Sequence, residues 1–239
     1  MKRFVIGDIH GRFEALKEVL KKSKFNYKKD KLIILGDIVD GGYNTAEVVE
    51  ELLKIENKVL VLGNHDVFFM KHISTGWGEE IWIQQGGANT LRSYGAIVKE
   101  ADYVSDESFV DTSNINIPVT HQEFFNKGVY YYIEDNMLFV HGGFKPKLGV
   151  EKTSKFDLVW DRNLIHVARS GQKIKGYKKI FVGHTTTQTY GLEVPVKYQN
   201  LIMMDCGAGY NGKLAIMNID TEKYWVSKKQ KPGIDKIRK

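Results

Sequence analysis

Five apolar segments of this 239-residue chain each end in side chains of the kind that bind metal ions. The segments read FVIGDIH, LIILGD, VLVLGNHD, MLFVH and KIFVGH. Buried strands of α/β proteins have this apolar character, and ligand sites form where the carboxyl ends of parallel strands meet. The pattern therefore predicts that six polar side chains converge on one sheet edge, namely Asp8, His10, Asp37, Asn64, His141 and His184.

The mixture of carboxylates, imidazoles and one amide narrows the choice of ion. Carboxylates that are crowded together repel one another unless a cation neutralises them. The set contains no thiolate and too much nitrogen for a calcium site, which leaves Mn²⁺ as the first choice and Fe or Zn²⁺ as alternatives. Because six ligands exceed the need of one catalytic ion, we expect two divalent ions, with Asp37 as the ligand that they share.

The order of strand-like and helix-like segments predicts the architecture. Strands and amphipathic helices alternate through the first third, which is typical of a parallel sheet covered by helices. Residues 67–127 are helical and aromatic in pattern and are expected to form an inserted helical cap, after which strands joined by short links return. We therefore predict an α/β fold with one domain over residues 1–227, followed by a flexible basic tail at 228–239.

Composition limits the class of protein and its partners. Hydrophobic residues make up 42% of the chain and charged residues 27%, as in globular proteins, and no apolar run reaches the roughly 20 residues of a membrane span. Cys206 is the only cysteine, which fits a reducing cytoplasm. The net charge is +6, but six basic residues and one acid lie in the last twelve positions. We interpret this tail as a solvated end, and a contact surface for nucleic acid or a membrane is the less favoured alternative.

The motifs around these residues carry a family resemblance. GDIHG (7–11), GDIVDGG (36–42), GNHD (63–66), HGG (141–143) and GH (183–184) occur in this order. The set resembles the calcineurin-like metallophosphoesterases, and more closely the bacterial and phage branch of the PPP-type serine/threonine phosphatases, which is related to symmetrical diadenosine tetraphosphatases. The resemblance implies a β-sandwich flanked by helices, with a di-metal site between the sheet edges. It assigns Asp8, His10 and Asp37 to one ion, and Asp37, Asn64, His141 and His184 to the other.

The same resemblance implies a reaction. A hydroxide activated by the two metal ions attacks phosphorus directly, His65 donates a proton to the leaving group, and Asp40 orients His65. For Asp40, a turn or helix-capping role is the structural alternative. Phosphomonoesters of the protein-phosphatase kind are the first-ranked substrates, and nucleotides or dinucleoside polyphosphates are the alternative. A non-catalytic nucleic-acid-binding module ranks below both.

One position departs from the family pattern. Gly41 stands where the family commonly has an arginine that holds phosphate oxygens. Arg162, in LVWDRNL, is the best replacement, because bacterial relatives carry a phosphate-binding arginine in a similar Trp-x-Arg context. A surface ion pair is an equal alternative for Arg162, and Arg12 is a weaker candidate. Trp77, Trp82 and Phe125 are interpreted as core residues rather than as a platform for a nucleobase.

Overall fold

The first three strands and the two helices between them follow the predicted alternation. The computed structural model describes residues 1–78, 80–99, 109–111 and 113–231. Its strands are β1 (Arg3–Ile6), β2 (Lys31–Ile34), β3 (Asn57–Leu60), β4 (Ile97–Lys99), β5 (Phe109–Asp111), β6 (Tyr131–Glu134), β7 (Met137–Val140), β8 (Lys179–Val182), β9 (Val196–Tyr198), β10 (Leu201–Met203), β11 (Ala215–Asn218) and β12 (Tyr224–Val226). Its helices are α1 (Phe13–Lys22), α2 (Thr45–Leu53), α3 (Asn64–Thr75), α4 (Glu80–Trp82), α5 (Ala88–Ser93), α6 (Val119–Asn126), α7 (Lys155–Trp160) and α8 (Asn163–Arg169).

The main strands form two five-stranded sheets. The first sheet has the order β12-β11-β1-β2-β3 and the second the order β6-β7-β8-β10-β9. Within the first sheet β1, β2 and β3 are parallel, and within the second β7, β8 and β10 are parallel. The five strands that precede the predicted ligands are therefore all members of parallel runs, and their carboxyl ends lie at one edge of each sheet.

Alternate residues of the central strands pack in opposite directions. Phe4 and Ile6 belong to the apolar cluster that includes α1 and α2, whereas Val5 belongs to the cluster between the two sheets. On the second sheet, Phe139 faces the first sheet, whereas Leu138 packs against α7 and α8. Successive side chains of a strand point to opposite faces. The result is a β-sandwich with helices on both outer faces, and it explains why these strands carry apolar residues on both faces.

The region between β3 and β6 is mostly helical. It contains α3 to α6 and a π-helical turn at Ile83–Gly87, together with a two-stranded sheet of β4 and β5 that stands apart from the main sheets. Trp82 and Phe125 in this region are fully buried, as the sequence predicted, but Trp77 is 56% exposed and is not a core residue. The treatment of 67–127 as a cap within one domain stays a prediction.

The basic tail begins in contact with the rest of the protein. The Lys228 amide donates to Glu18 at 2.9 Å, and the Gln230 amide donates to the Gly212 carbonyl at 2.7 Å. Residues 232–239, which hold half of the basic residues of the tail, lie outside the described residues. Within the described residues, the helices are too short or too polar to span a lipid bilayer.

Candidate active site

The structure brings all six predicted ligands together where the parallel strands end. Asp8 and His10 follow β1, Asp37 follows β2, and Asn64 begins α3 after β3, while His141 and His184 follow β7 and β8. Two groups of possible ligand atoms, each within 4.8 Å, share Asp37. One contains Asp8, His10 and Asp37, and the other contains Asp37, His141 and His184. The Asn64 Oδ1 atom lies 3.1 Å from His141 Nε2, beside the second group.

The backbone at these positions is held in an uncommon conformation. His10, Asp37, Asp40 and His184 all have positive φ, between 46° and 69°. Such residues are costly unless the surroundings hold them, and they gather at functional sites. The motif glycines provide the space: a Cβ atom on Gly63 would collide with Asp37 Oδ1. The glycines are therefore required for the carboxylates to occupy these places.

Hydrogen bonds to backbone carbonyls orient two of the histidines. His10 Nδ1 lies 3.0 Å from the Val39 carbonyl and His141 Nδ1 lies 2.5 Å from the Leu35 carbonyl. Each Nδ1–H therefore donates to a carbonyl, which leaves Nε2 of each ring as the nitrogen that could bind a metal ion once it carries no proton. This arrangement is typical of metal-binding histidines.

Two buried polar atoms at the site have no partner among the described residues. They are Asp8 Oδ1 and His184 Nε2, one from each group of possible ligands. A buried polar atom without a partner costs about 1–3 kcal/mol. Divalent cations between these groups would satisfy both atoms, and the donor set of carboxylate oxygen and imidazole nitrogen suits Mn²⁺, Fe or Zn²⁺. The residues present therefore fit a two-cation site.

The electrostatics of the cluster agree with this fit. Burial raises the pKa of Asp8 well above its ordinary value, and the neighbouring Asp205 and Asp37 raise it further. Burial also lowers the pKa of His184 to about 3. Burial opposes the charge on His141 too, but Asp37 and Asp8 outweigh it and raise the His141 pKa to about 10. A cation at Asp37 would replace the positive charge that His141 otherwise supplies.

Two further buried carboxylates belong to the site and were not among the predicted ligands. Asp66 accepts hydrogen bonds from the amides of Ile38 and Gly63, both at 2.9 Å, and so ties together the loops after β2 and β3. Burial and Asp37 raise its pKa to about 7. Asp205 follows β10 and accepts from the Gly207 amide at 2.8 Å, which is a turn contact. The sequence LIMMD repeats the pattern of an apolar strand that ends in a carboxylate, and it marks Asp205 either as a support for His184 or, equally, as a turn residue.

His65 and Asp40 form a buried pair beside the first ligand group. His65 Nδ1 lies 2.5 Å from Asp40 Oδ2, and the His65 ring is 5.1 Å from the His10 ring. Asp40 also accepts hydrogen bonds from Trp82 Nε1 at 2.9 Å and Thr90 Oγ1 at 2.7 Å. Burial lowers the pKa of His65, but Asp37 and Asp40 outweigh it, so that the net shift is upward. The sequence did not reveal Trp82 and Thr90 as partners of Asp40.

The arginine candidates differ in their surroundings. Arg162 is exposed at the start of α8, and its guanidinium makes no hydrogen bond or ion pair with the described residues. It is nevertheless close enough to His184 to help lower the pKa of that histidine, after the larger effects of burial and His141. Arg12 donates to the carbonyls of Ala208 and Tyr210 at 2.9 and 3.2 Å, so its guanidinium is engaged by a loop. Gly41 has a φ of 72°, and a Cβ atom there would lie 3.2 Å from His10 Cβ.

Comparison with known proteins identifies relatives of the chain. The family model described as calcineurin-like phosphoesterase matches residues 1–202. The symmetrical bis(5'-nucleosyl)-tetraphosphatase of Buchnera aphidicola (strain Tuc7) is 47% identical over 68 residues, and that of Coxiella burnetii (strain Dugway 5J108-111) is 37% identical over 67 residues. Each match covers 28% of this chain, and only 25% and 23% of the respective relative.

One solved structure extends the similarity over the whole fold. The crystal structure of a "putative diadenosine tetraphosphatase" superposes with a TM-score of 0.68 at 17% sequence identity, and the superposition covers 97% of this chain and 93% of that one. At this level of identity the superposition bears on the fold alone. It confirms the β-sandwich with flanking helices that the motifs implied.

Proposed function

The chain belongs to the calcineurin-like phosphoesterase family, and from this premise we propose that it hydrolyses dinucleoside polyphosphates with the help of two divalent cations. Family membership makes it a metal-dependent hydrolase of phosphate esters, which speaks against a non-catalytic module. The sequence ranked phosphomonoesters first. The named relatives favour the alternative substrate, although each match covers only a quarter of the relative's length.

One observation carries the chemical part of this proposal. Two groups of buried ligand atoms share Asp37, and each contains an atom that has no partner among the described residues. We assign Asp8, His10 and Asp37 to one ion, and Asp37, Asn64, His141 and His184 to the other, with Mn²⁺ as the first choice of metal. When bound, two such ions make a water molecule more acidic and neutralise phosphate oxygens.

The residues of the chain would then bind the substrate and move a proton. His65 is the candidate proton donor to the leaving oxygen, because its Nδ1 is held by Asp40 and its Nε2 remains for the substrate. Trp82 and Thr90 hold Asp40 and thereby fix the orientation of the imidazole. Arg162, which is exposed and close to His184, is the candidate clamp for a phosphate oxygen.

The substrate class can be decided by a product assay. The protein, loaded with Mn²⁺, is incubated with diadenosine tetraphosphate, with a phosphoserine peptide and with p-nitrophenyl phosphate, and products are separated by chromatography. Preferred cleavage of the dinucleotide is the expected result. Cleavage of the phosphopeptide without cleavage of the dinucleotide would restore the first-ranked substrate and overturn the proposal.

The role of His65 has its own test. His65→Asn is expected to slow hydrolysis of alkyl phosphates about 10²- to 10⁴-fold, because an alkoxide needs a proton to leave. Hydrolysis of p-nitrophenyl phosphate, whose leaving group is stable as an anion, should fall far less. His166→Asn, on the exposed side of α8, is the matched control. Equal losses on both substrates would remove His65 from the role of acid.

A further inference from the structure

Three aromatic side chains form a continuous group beside the ligand candidate His184. Trp160, the last residue of α7, has its ring centroid 5.4 Å from that of His184, with the planes 89° apart. Phe156, one helical turn earlier, stacks against Trp160 at 6.1 Å. Phe68 on α3 meets Trp160 edge-on, also at 6.1 Å. We refer to Phe68, Phe156 and Trp160 as the aromatic shelf.

The outer part of the shelf is open to solvent. Phe156 is 69% exposed, and neither Phe156 nor Trp160 belongs to the apolar clusters formed by the described residues. Single exposed apolar residues are common on protein surfaces. Phe156 differs because it stacks on a ring that in turn contacts a side chain of the candidate metal site. The shelf therefore extends outward from His184, first through the Trp160 ring and then through the Phe156 ring.

The charges around the shelf suit an anionic ligand. Arg162 follows Trp160 by two residues, and its side chain makes no hydrogen bond or ion pair with the described part of the chain. Both nearby carboxylates contact one lysine, because Lys145 Nζ lies 3.0 Å from Asp157 and 2.6 Å from Asp161, and this ammonium offsets one of their two negative charges. Within the described residues, Arg162 thus provides an exposed guanidinium without an ion pair, close enough to His184 to lower its pKa.

We propose that the aromatic shelf binds the nucleobase of a nucleotide whose phosphate lies at the metal site. This inference rests on the proposed function and extends it, since it assigns the part of the protein that recognises the nucleoside. Stacking of a base on an aromatic side chain tolerates every base, because each presents a flat face. The shelf should therefore distinguish nucleotides from simple phosphates without selecting adenine over cytosine.

The contribution of the base can be measured by binding, without turnover. Titration calorimetry on the Mn²⁺-loaded protein compares ADP and CDP with inorganic pyrophosphate, which has no base. Both nucleotides should bind more tightly than pyrophosphate. Phe156→Ala should weaken both nucleotides about 5- to 150-fold, the range expected for one stacked base, and change pyrophosphate affinity less than twofold. Phe156→Trp should restore nucleotide binding.

The controls separate a binding role from a structural one. Phe156 is exposed, so its truncation leaves no cavity in the core. Tyr224→Ala removes another exposed aromatic ring, on the outermost strand β12 of the first sheet, and should change neither affinity. Equal weakening of ADP and pyrophosphate by Phe156→Ala, or no weakening of either, would overturn the inference.

A phosphopeptide is the competing ligand. If Phe156→Ala weakens a peptide with phenylalanine next to phosphoserine but leaves ADP unchanged, the shelf binds peptide side chains and the inference is wrong. The proposed function fails separately. If ADP affinity depends on Phe156 but the protein does not cleave diadenosine tetraphosphate, the inference about the shelf stands and the proposed substrate is wrong. If the protein cleaves the dinucleotide but binds ADP no more tightly than pyrophosphate, the proposed function stands and the inference about the shelf is wrong.

Discussion

The two ends of the paired sheets both carry carboxylates, but they neutralise them in different ways. At the carboxyl ends of the parallel strands, the described structure buries five carboxylates of the site and gives none of them an ion pair with lysine or arginine. These five are Asp8, Asp37, Asp40, Asp66 and Asp205, each at most 4% exposed. At the other end, the cations are part of the chain.

Arg3 and Lys31 supply those cations. Lys31 Nζ lies 2.6 Å from Glu134 Oε1 and donates to Tyr132 Oη at 2.7 Å, which connects β2 of the first sheet to β6 of the second. Arg3 on β1 pairs with Asp135 at 2.5 Å and also with Asp220. The Arg3 pKa is raised by its hydrogen bond to Asp220, although burial opposes this. We call this the ion-paired end, and the other the carboxylate end.

The difference shows which end can perform chemistry. A side-chain cation that is fully paired holds two strands in place and has no capacity left for a ligand. A catalytic divalent cation is bound by several protein ligands and keeps positions for water or substrate. The ion-paired end is therefore expected to contribute stability that does not depend on metal. The carboxylate end is expected to contribute activity that does depend on metal.

The largest expected effect is at the shared ligand. Asp37→Asn should lower turnover of the metal-loaded protein by about 10³-fold or more, because both ion sites lose a charged ligand. Elemental analysis should show fewer than two ions per chain, with circular dichroism unchanged. Asp135→Asn at the ion-paired end is the control and should retain full activity. A variant that keeps two ions and loses less than tenfold in rate would contradict the assignment of Asp37.

A substitution of Asp8 tests whether metal ions, rather than side-chain cations, neutralise the carboxylates at the carboxylate end. At pH 8 in chelator, Asp8→Asn should unfold at the same temperature as the parent or higher, because one buried negative charge is gone and the amide oxygen can still accept from the His184 amide. With Mn²⁺ at about 100 times its Kd, the parent should gain about 3 kcal/mol per site and the variant less. Calorimetric unfolding measures both, and a variant that is less stable in chelator would contradict the comparison.

The carboxylate end was predictable because its signals are local. Each ligand lies within a few residues of an apolar strand, and parallel strands place their carboxyl ends together. Asp8 and His10, for example, both follow the end of β1 within four residues, so the position of that strand end already places them near each other. The same reasoning extends to Asp205, whose strand β10 joins the parallel run of the second sheet.

Contacts between distant segments were not predictable in the same way. Trp82 and Thr90 reach Asp40 across 42 and 50 residues of chain, and Lys31 reaches Glu134 across 103. A tryptophan that is fully buried and also donates to a catalytic candidate has the same local pattern as any core tryptophan. The exposed position of Trp77 was missed for the same reason, since aromatic character alone does not determine which ring the helices cover.

Removal of the ion-paired cation should affect stability alone. Lys31→Met leaves Glu134 without one partner at a position where the two side chains are 10% and 21% exposed, and we expect a loss of about 2 kcal/mol in the free energy of unfolding. The loss should be equal in Mn²⁺ and in chelator, and turnover should stay within twofold. The double variant with Glu134→Gln should recover part of the loss. A change in metal content would show that the two ends are not independent.

The smallest effect concerns a more exposed pair at the same end. Glu222 lies 2.8 Å from Lys179 and 2.7 Å from Lys197, and these hydrogen bonds lower its pKa. Because the folded state favours the carboxylate, the stability from this pair is present above the ordinary glutamate pKa and is lost as the pH falls through the lowered value. Glu222→Gln should therefore cost less than about 1 kcal/mol at pH 7, since solvent screens the pair. Urea unfolding at pH 7 and pH 3 measures the difference in unfolding free energy between parent and variant, and this difference should be smaller at pH 3. A difference that does not change with pH would mean that Glu222 contributes through packing rather than through its charge.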